Sequence, residues 1–148
     1  MAVNENIVGK SYPSLEAYLV GREKIREFAS AVMSTNPIHF NVTAASAAGH
    51  SDLVAPPTFP VILQERAMQV LLADKEAGID YSRIVHGDQR FDYTRPIEAG
   101  DELHTSIEVT KVQSLGGHQM VTSESRITDN AGDHIVTATS TLVVRGED

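Results

Sequence analysis

Residues 60–78, PVILQERAMQVLLADKEAG, set the strongest limit on the fold. Val61, Ile62, Leu63, Ala67, Met68, Val70, Leu71 and Leu72 predict a long helix that is apolar nearly all round. Such a helix has to be covered on most sides. Beyond it the hydrophobic period changes. SRIVHGDQRFDYTRPI (82–97) reads as a strand interrupted at Gly-Asp, where a bulge or bend fits. In DELHTSIEVTKV (101–112), Leu103, Thr105, Ile107 and Val109 alternate with polar residues, the mark of a strand with one buried face. SLGGH (114–118) is a hairpin turn, HQMVTSESRIT (118–128) the next strand, DNAGD (129–133) a turn, and HIVTATSTLVVR (134–145) a last, Thr-rich strand. These predict four long strands in meander. An α+β fold, with a curved antiparallel sheet wrapped around a long central helix, satisfies this order. One helix cannot cover both ends of such a sheet, so pairing of sheets between subunits is expected.

The first part of the chain is shorter in its elements. AYLV (17–20) reads as a strand broken by Gly21. In REKIREFASAVM (22–33), Ile25, Phe28, Ala29, Val32 and Met33 are spaced by three and four, which predicts an amphipathic helix stopping near Asn36-Pro37. VTAASAAGH (42–50) predicts a short helix capped by Thr43 and ended by Gly49, and LVAPPTF (53–59) a turn into the long helix. There is no repeat and no linker, so the 148 residues are read as one domain, 1–148.

Composition removes several function classes. Twenty Asp and Glu against twelve Lys and Arg give a formal charge of -8, poorly suited to duplex DNA or an anionic membrane. No apolar run approaches the roughly 20 residues of a membrane span. MAVNENIVGK lacks a basic segment followed by an apolar one, so the expected location is the cytoplasm. The absence of Cys excludes disulfides, thiolate metal sites and Cys nucleophiles.

One polar stretch stands apart. STNPIHFN (34–41) places His39 on an irregular turn after a helix, where imidazole can serve as general base or acid. The competing reading is structural, with Asn36 capping the helix and His39 bonding backbone. His104, His118 and His134 fall at strand ends or polar-face positions and read as surface residues, and His50, after Gly49, as a cap for helix carbonyls. Asp88, in HGDQ, reads as bonding backbone amides in a bulge. No His pair has metal-ligand spacing. Neither a phosphate-binding Gly loop nor a G-x-S-x-G elbow occurs.

NPIHFNVTAASAAGH followed by LVAPPTF resembles the signature of the MaoC-like hydratases and dehydratases, Asp-x-Asn-Pro-x-His and then a small-residue helix. TRPIEAGDEL is similar to that family's Arg-Pro-x-x-x-Gly-Asp turn. IVGKSY, GREKIREFA and VHGDQRFDYTRP are similar to the N-terminal MaoC-like subunits of heterodimeric (3R)-hydroxyacyl-ACP dehydratases. The resemblance implies a hot-dog fold, an acyl-CoA or acyl-ACP thioester as ligand, no cofactor, and a homodimer or a heterodimer with another MaoC-like subunit. It implies the chemistry of fatty-acid metabolism, in which His39 is the general base and Asn36 orients groups. Carried over by position, the family Asp falls on Ser34, which holds no charge, and the family Gly that donates its N–H falls on Pro57, which has none. Thr58 N–H, at the start of the long helix, is the expected substitute. Val54, Pro57, Thr58, Phe59 and His86 are the expected substrate contacts, and Asp88, Asp52 or Glu65 the candidate partners of His39. The alternative is a catalytically silent chain holding the acyl tail along the long helix beside a separate MaoC-like catalytic subunit. A hot-dog thioesterase is a weaker third reading, because it needs an assigned carboxylate.

Overall fold

The computed structural model describes residues 2–147. The long helix, α3, spans Val61–Ala73 and buries Leu63, Gln64, Ala67, Met68 and Leu71. Full burial of each large apolar side chain contributes about 1.5–3 kcal/mol. The expectation that α3 is covered on most sides holds for one face only. Glu65, Arg66 and Gln69 are exposed, and Val61, Ile62, Val70 and Leu72 are half-buried. The helix also stops short of residue 78. Asp74 leaves helical geometry and caps a following 3₁₀ turn by accepting from Glu76 N at 3.0 Å.

Four long strands come next: β2 (Ile84–Tyr93), β3 (Glu102–Leu115), β4 (His118–Thr128) and β5 (His134–Val144). With the two-residue β1 (Tyr18–Leu19), all that remains of the expected strand 17–20, they form one antiparallel sheet in the order β1-β3-β4-β5-β2. This is the curved, helix-wrapping sheet of a hot-dog fold. The four-strand meander, however, reduces to three: β2 lies beside β5 and not beside β3. The physical reason is in the connection. After Tyr93, opposite Val136, the segment 94–101 pairs with residues 53–55 (Ala55 N to Ile97 O, 2.8 Å; Ala99 N to Leu53 O, 2.9 Å) and so crosses to the other edge before β3 begins.

The predicted alternation on β3 is observed, with Leu103, Thr105, Ile107 and Val109 all buried. The register of β2 shifts between His86 and Asp88, as the Gly-Asp interruption predicted. A Cβ on Gly87 there would lie 3.0 Å from Val143 Cγ2, so a side chain would press on the neighbouring strand. The β3–β4 turn uses Gly116 and Gly117 at φ 59° and 82°, the left-handed pair a tight hairpin favours.

Helix α1 (Arg22–Ala31) ends before the expected Asn36-Pro37 break. Met33 takes φ 57°, Ser34 N donates to Ala29 O at 2.8 Å and Met33 N to Ser30 O at 3.1 Å. This is a Schellman cap with Met where Gly is usual. Helix α2 (Val42–Ala47) is capped by Asn41, whose side chain accepts from Ala44 N, and not by Thr43.

Along the outer edge of β3 runs an irregular N-terminal segment. Gly9, Tyr12 and Leu15 N–H groups donate to the carbonyls of Val109, Ile107 and Thr105. A clasp ties this segment to the end of α3, with Lys10 Nζ 2.7 Å and Tyr12 Oη 2.6 Å from Asp74 Oδ2. Among the described residues, that leaves β2 as the uncovered edge of the sheet. No helix among the described residues is long and apolar enough to cross a membrane.

The bond from Lys10, reinforced by Tyr12, holds Asp74 down to about 2 from its usual 3.8. A depressed carboxylate pKa adds stability that is present above the unfolded value and lost as pH falls through the folded one. Urea titrations of the wild type and Asp74→Asn should therefore differ by a constant amount well above pH 3.8, the difference closing as pH falls toward about 2. A gap that stays open at the acid end would contradict the clasp.

Candidate active site

Three short segments meet beside the end of β2. The first leaves the α1 cap at Ser34 and enters a 3₁₀ turn, Pro37–His39, capped by Asn36. Asn36 Oδ1 accepts from Ile38 N at 3.2 Å, and Pro37 at the first helical position has no N–H to satisfy. The second segment, 53–57, is held on both sides. Val54 N donates to Ile38 O at 3.0 Å, and Ala55 N to Ile97 O on the crossing segment. The third is that crossing segment itself, from Tyr93 to Pro96.

Together they enclose a cleft of about 540 Å³ whose walls include Ser34, Asn36 and His39, then Val54, Ala55 and Pro57, then Tyr93, Thr94 and Arg95. His39 is 5% exposed. Its Nδ1 lies 2.6 Å from Val54 O. A carbonyl can only accept, so Nδ1 carries the hydrogen, and the neutral ring keeps its lone pair on Nε2. Among the described residues Nε2 has no hydrogen-bond partner. Both structural roles expected of this turn are therefore present, Asn36 as a cap and His39 bonded to backbone. Each still leaves one nitrogen unspent, Asn36 Nδ2 and His39 Nε2.

The other expected contacts divide. Ser34, Asn36, His39, Val54 and Pro57 line this cleft. Thr58, Phe59 and His86 do not. Thr58 lies in a turn ahead of α3, which begins at Val61, so its N–H is not at the helix start. Phe59 is fully buried and packs edge-on against Phe28 at 5.4 Å, its ring taken up by the core. His86 is exposed on the β2 bulge, with Nε2 3.0 Å from Asp88 O, and borders a separate cavity under α3. No α3 residue lines the His39 cleft.

None of the cleft walls is Asp or Glu. Asp52 is committed to Arg22 through bonds of 3.0 and 2.9 Å, which with Leu53 N hold its pKa below the usual range. Glu65 lies on the exposed face of α3, bonded to Gln69. Asp88 stays on the bulge. Arg95 is neutralised in place by a two-pronged contact with Asp101 at 2.9 and 3.0 Å, which raises its pKa. Tyr93 donates its hydroxyl to Pro57 O at 2.7 Å, and loss of water around the phenol raises its pKa. His50 does not cap carbonyls through its ring, which bonds Glu98 Oε1 at 3.0 Å. No group of three His, Asp or Glu among the described residues could hold a metal.

Sequence reasoning missed Tyr93, Thr94 and Arg95 as cleft residues. The TRPIEAGDEL motif marked their neighbourhood, but only the strand order brings it to His39.

The model of the "FAS1-like, dehydratase domain region" matches residues 6–138. The chain belongs to that family. A UPF0336 protein of Leifsonia xyli subsp. xyli is 64% identical over 146 residues, covering 99% of this chain and 98% of that protein. Among solved structures, the C-terminally truncated HadBC (3R-hydroxyacyl-ACP dehydratase) complex of Mycobacterium tuberculosis is similar, with a TM-score of 0.84 and 34% identity over 93% of this chain and 96% of that one. A MaoC-like dehydratase gives a TM-score of 0.90 at 34% identity, with 97% of this chain matching 44% of a longer one. The (R)-hydratase of A. caviae, at 19% identity and a TM-score of 0.71, shares the fold.

The fixed ring of His39 should be visible by NMR. Above the pH range in which imidazole titrates, its nitrogen shifts should show the Nδ1–H tautomer, the less common one in free histidine. A dominant Nε2–H form would mean that the bond to Val54 O is absent.

Proposed function

We propose that the chain is a (3R)-hydroxyacyl-thioester dehydratase, acting in reverse as an (R)-specific enoyl hydratase, with His39 exchanging the C2 proton. The observation that carries this reading is the His39 ring: buried in the wall of a cleft, fixed through Nδ1, with an unpartnered Nε2. A general base needs that tautomer and that freedom. The small apolar walls around it (Ile38, Val54 and Ala55) suit the first carbons of an acyl chain. Asn36 Nδ2, left over from the cap, is the donor available to orient the thioester oxygen, since Pro57 has no N–H to offer. The ligand is a CoA or acyl-carrier-protein thioester of cytoplasmic fatty-acid metabolism.

The uncovered β2 edge supports pairing with a second hot-dog unit, either another copy or a separate subunit. The similar HadBC structure is a complex, and the longer MaoC-like chain has more than half its length outside the match, room for a second such unit.

The absence of a carboxylate favours a second reading, a silent acyl-binding subunit beside a catalytic MaoC-like partner. Loss of one acid/base group typically removes about 10²–10⁴ in rate.

Hydration of crotonyl-CoA and of a long-chain enoyl-CoA by the purified chain separates the two. His39→Gln, which keeps a donor for Val54 O, should cut the rate by about 10²-fold or more with a nearly unchanged melting temperature. An inactive wild type that gains activity as Ser34→Asp with Pro57→Gly would instead establish the silent subunit.

A further inference from the structure

We propose that Thr94, backed by His134, is the second proton-exchange point of the cleft and serves the C3 oxygen of the substrate. This rests on the dehydratase reading. That chemistry needs two proton transfers at different atoms, one at C2 and one at the oxygen, and His39 supplies a single nitrogen. No carboxylate lines the cleft to supply the other.

Thr94 lines the cleft directly after β2 and is fixed by its N–H, which donates to Ile135 O at 2.7 Å. Its Oγ1 lies 2.6 Å from His134 Nδ1. The other ring nitrogen, Nε2, lies 2.7 Å from Thr137 Oγ1. Hydroxyls on both sides of an imidazole can each donate or accept. The ring therefore decides which way Thr94 points its hydrogen. When the ring is doubly protonated, both nitrogens donate, Thr94 accepts, and its own O–H is free for the cleft. When Nδ1 is bare, Thr94 donates to the ring and offers the cleft a lone pair.

The dehydration step balances in atoms and charge. His39 Nε2 takes the C2 proton, and the C–H electron pair becomes the C2=C3 double bond as the C3–O bond breaks. The departing oxygen takes the Thr94 proton and leaves as water. Thr94 recovers a proton from His134 Nδ1. His39 ends protonated and His134 neutral, and solvent restores both. Hydration runs the same steps backwards, with the single proton starting on His39. Thr94 is thus the catalytic residue and His134 a positioning residue that supplies it.

Several charged groups flank His134. Asp133 precedes it, Asp129 bonds that turn through its N–H to Asp133 O, and Arg95 comes directly after Thr94. Asp92 on β2 and Arg126 on β4 stand opposite Thr137.

The test is the pH profile of crotonyl-CoA hydration by the purified full chain. One proton shared by two imidazoles predicts a bell, and His134→Asn should remove one limb while leaving the other. Thr94→Val should lower kcat by about 10²-fold or more with little change in KM, and Thr94→Ser should restore most of it. Retention of wild-type kcat by Thr94→Val, in a protein that His39→Gln inactivates, would overturn the proposal and leave the His39 reading standing. A bell that survives in His134→Asn would overturn the role of His134. A wild type inactive toward any enoyl thioester would sink both readings together. Melting temperatures of all variants identify any loss that is merely unfolding.

Discussion

Burial of α3 is the constraint on which everything else depends. Leu63, Ala67, Met68 and Leu71 cannot remain in water, and the inward faces of β3, β4 and β5 supply the surface that covers them. The sheet must curve to reach around a helix, and bulges at Gly87 and in β3 between Val109 and Lys111 let it do so. The buried surface is not uniformly apolar. Two apolar clusters lie toward the two ends of α3, while Ser123, Ser125, Ala138 and Ser140 occupy the middle of the sheet. The Ser123 and Ser125 hydroxyls have no hydrogen-bond partner among the described residues. Small side chains at mid-sheet let the helix lie close.

The cleft is a by-product of strand order. Because β2 sits beside β5, the chain must cross the end of the sheet to start β3, and residues 94–101 make that crossing. Bonded on one side to 53–55, which are bonded in turn to Ile38, the crossing draws three loops into one rigid junction. The carbonyl of Val54 then fixes His39. The same crossing brings Tyr93, Thr94 and Arg95 to the wall of the cleft that holds His39, so strand order sets the lining of that cleft.

The cleft lacks the charge that its motif leads one to expect. Ser34, which falls on the Asp of the motif that the sequence resembles, holds no charge, and Asp52, the nearest carboxylate in sequence to the cleft-forming segment 53–57, is paired with Arg22. What remains around an imidazole whose tautomer is set by backbone are neutral donors and acceptors and the Arg95 guanidinium, itself paired with Asp101. Such a site depends on position more than on field, which makes the Schellman cap at Met33 consequential. A strained left-handed Met, 86% exposed, fixes where Ser34 enters the cleft wall.

Local rules made much of this legible. Period fixed the buried face of β3, Gly pairs fixed the hairpin, and Asn-Pro-x-His singled out His39 before any fold was known, because each is a property of neighbours along the chain. Errors arose where a choice lay between distant partners. The meander placed β2 beside β3, and Phe59 and His86 were expected at the substrate although one ring is absorbed by the core and the other stays on a bulge. His134 read as a surface residue because nothing in its own strand shows that Thr94, forty residues earlier, will lie 2.6 Å away. Sequence alone determined which segments are helix or strand and which turn carries the imidazole, since backbone propensity and side-chain period act over a few residues. Tertiary structure decided which groups surround that imidazole, because strand order, set by how a whole sheet buries one helix, brings them together.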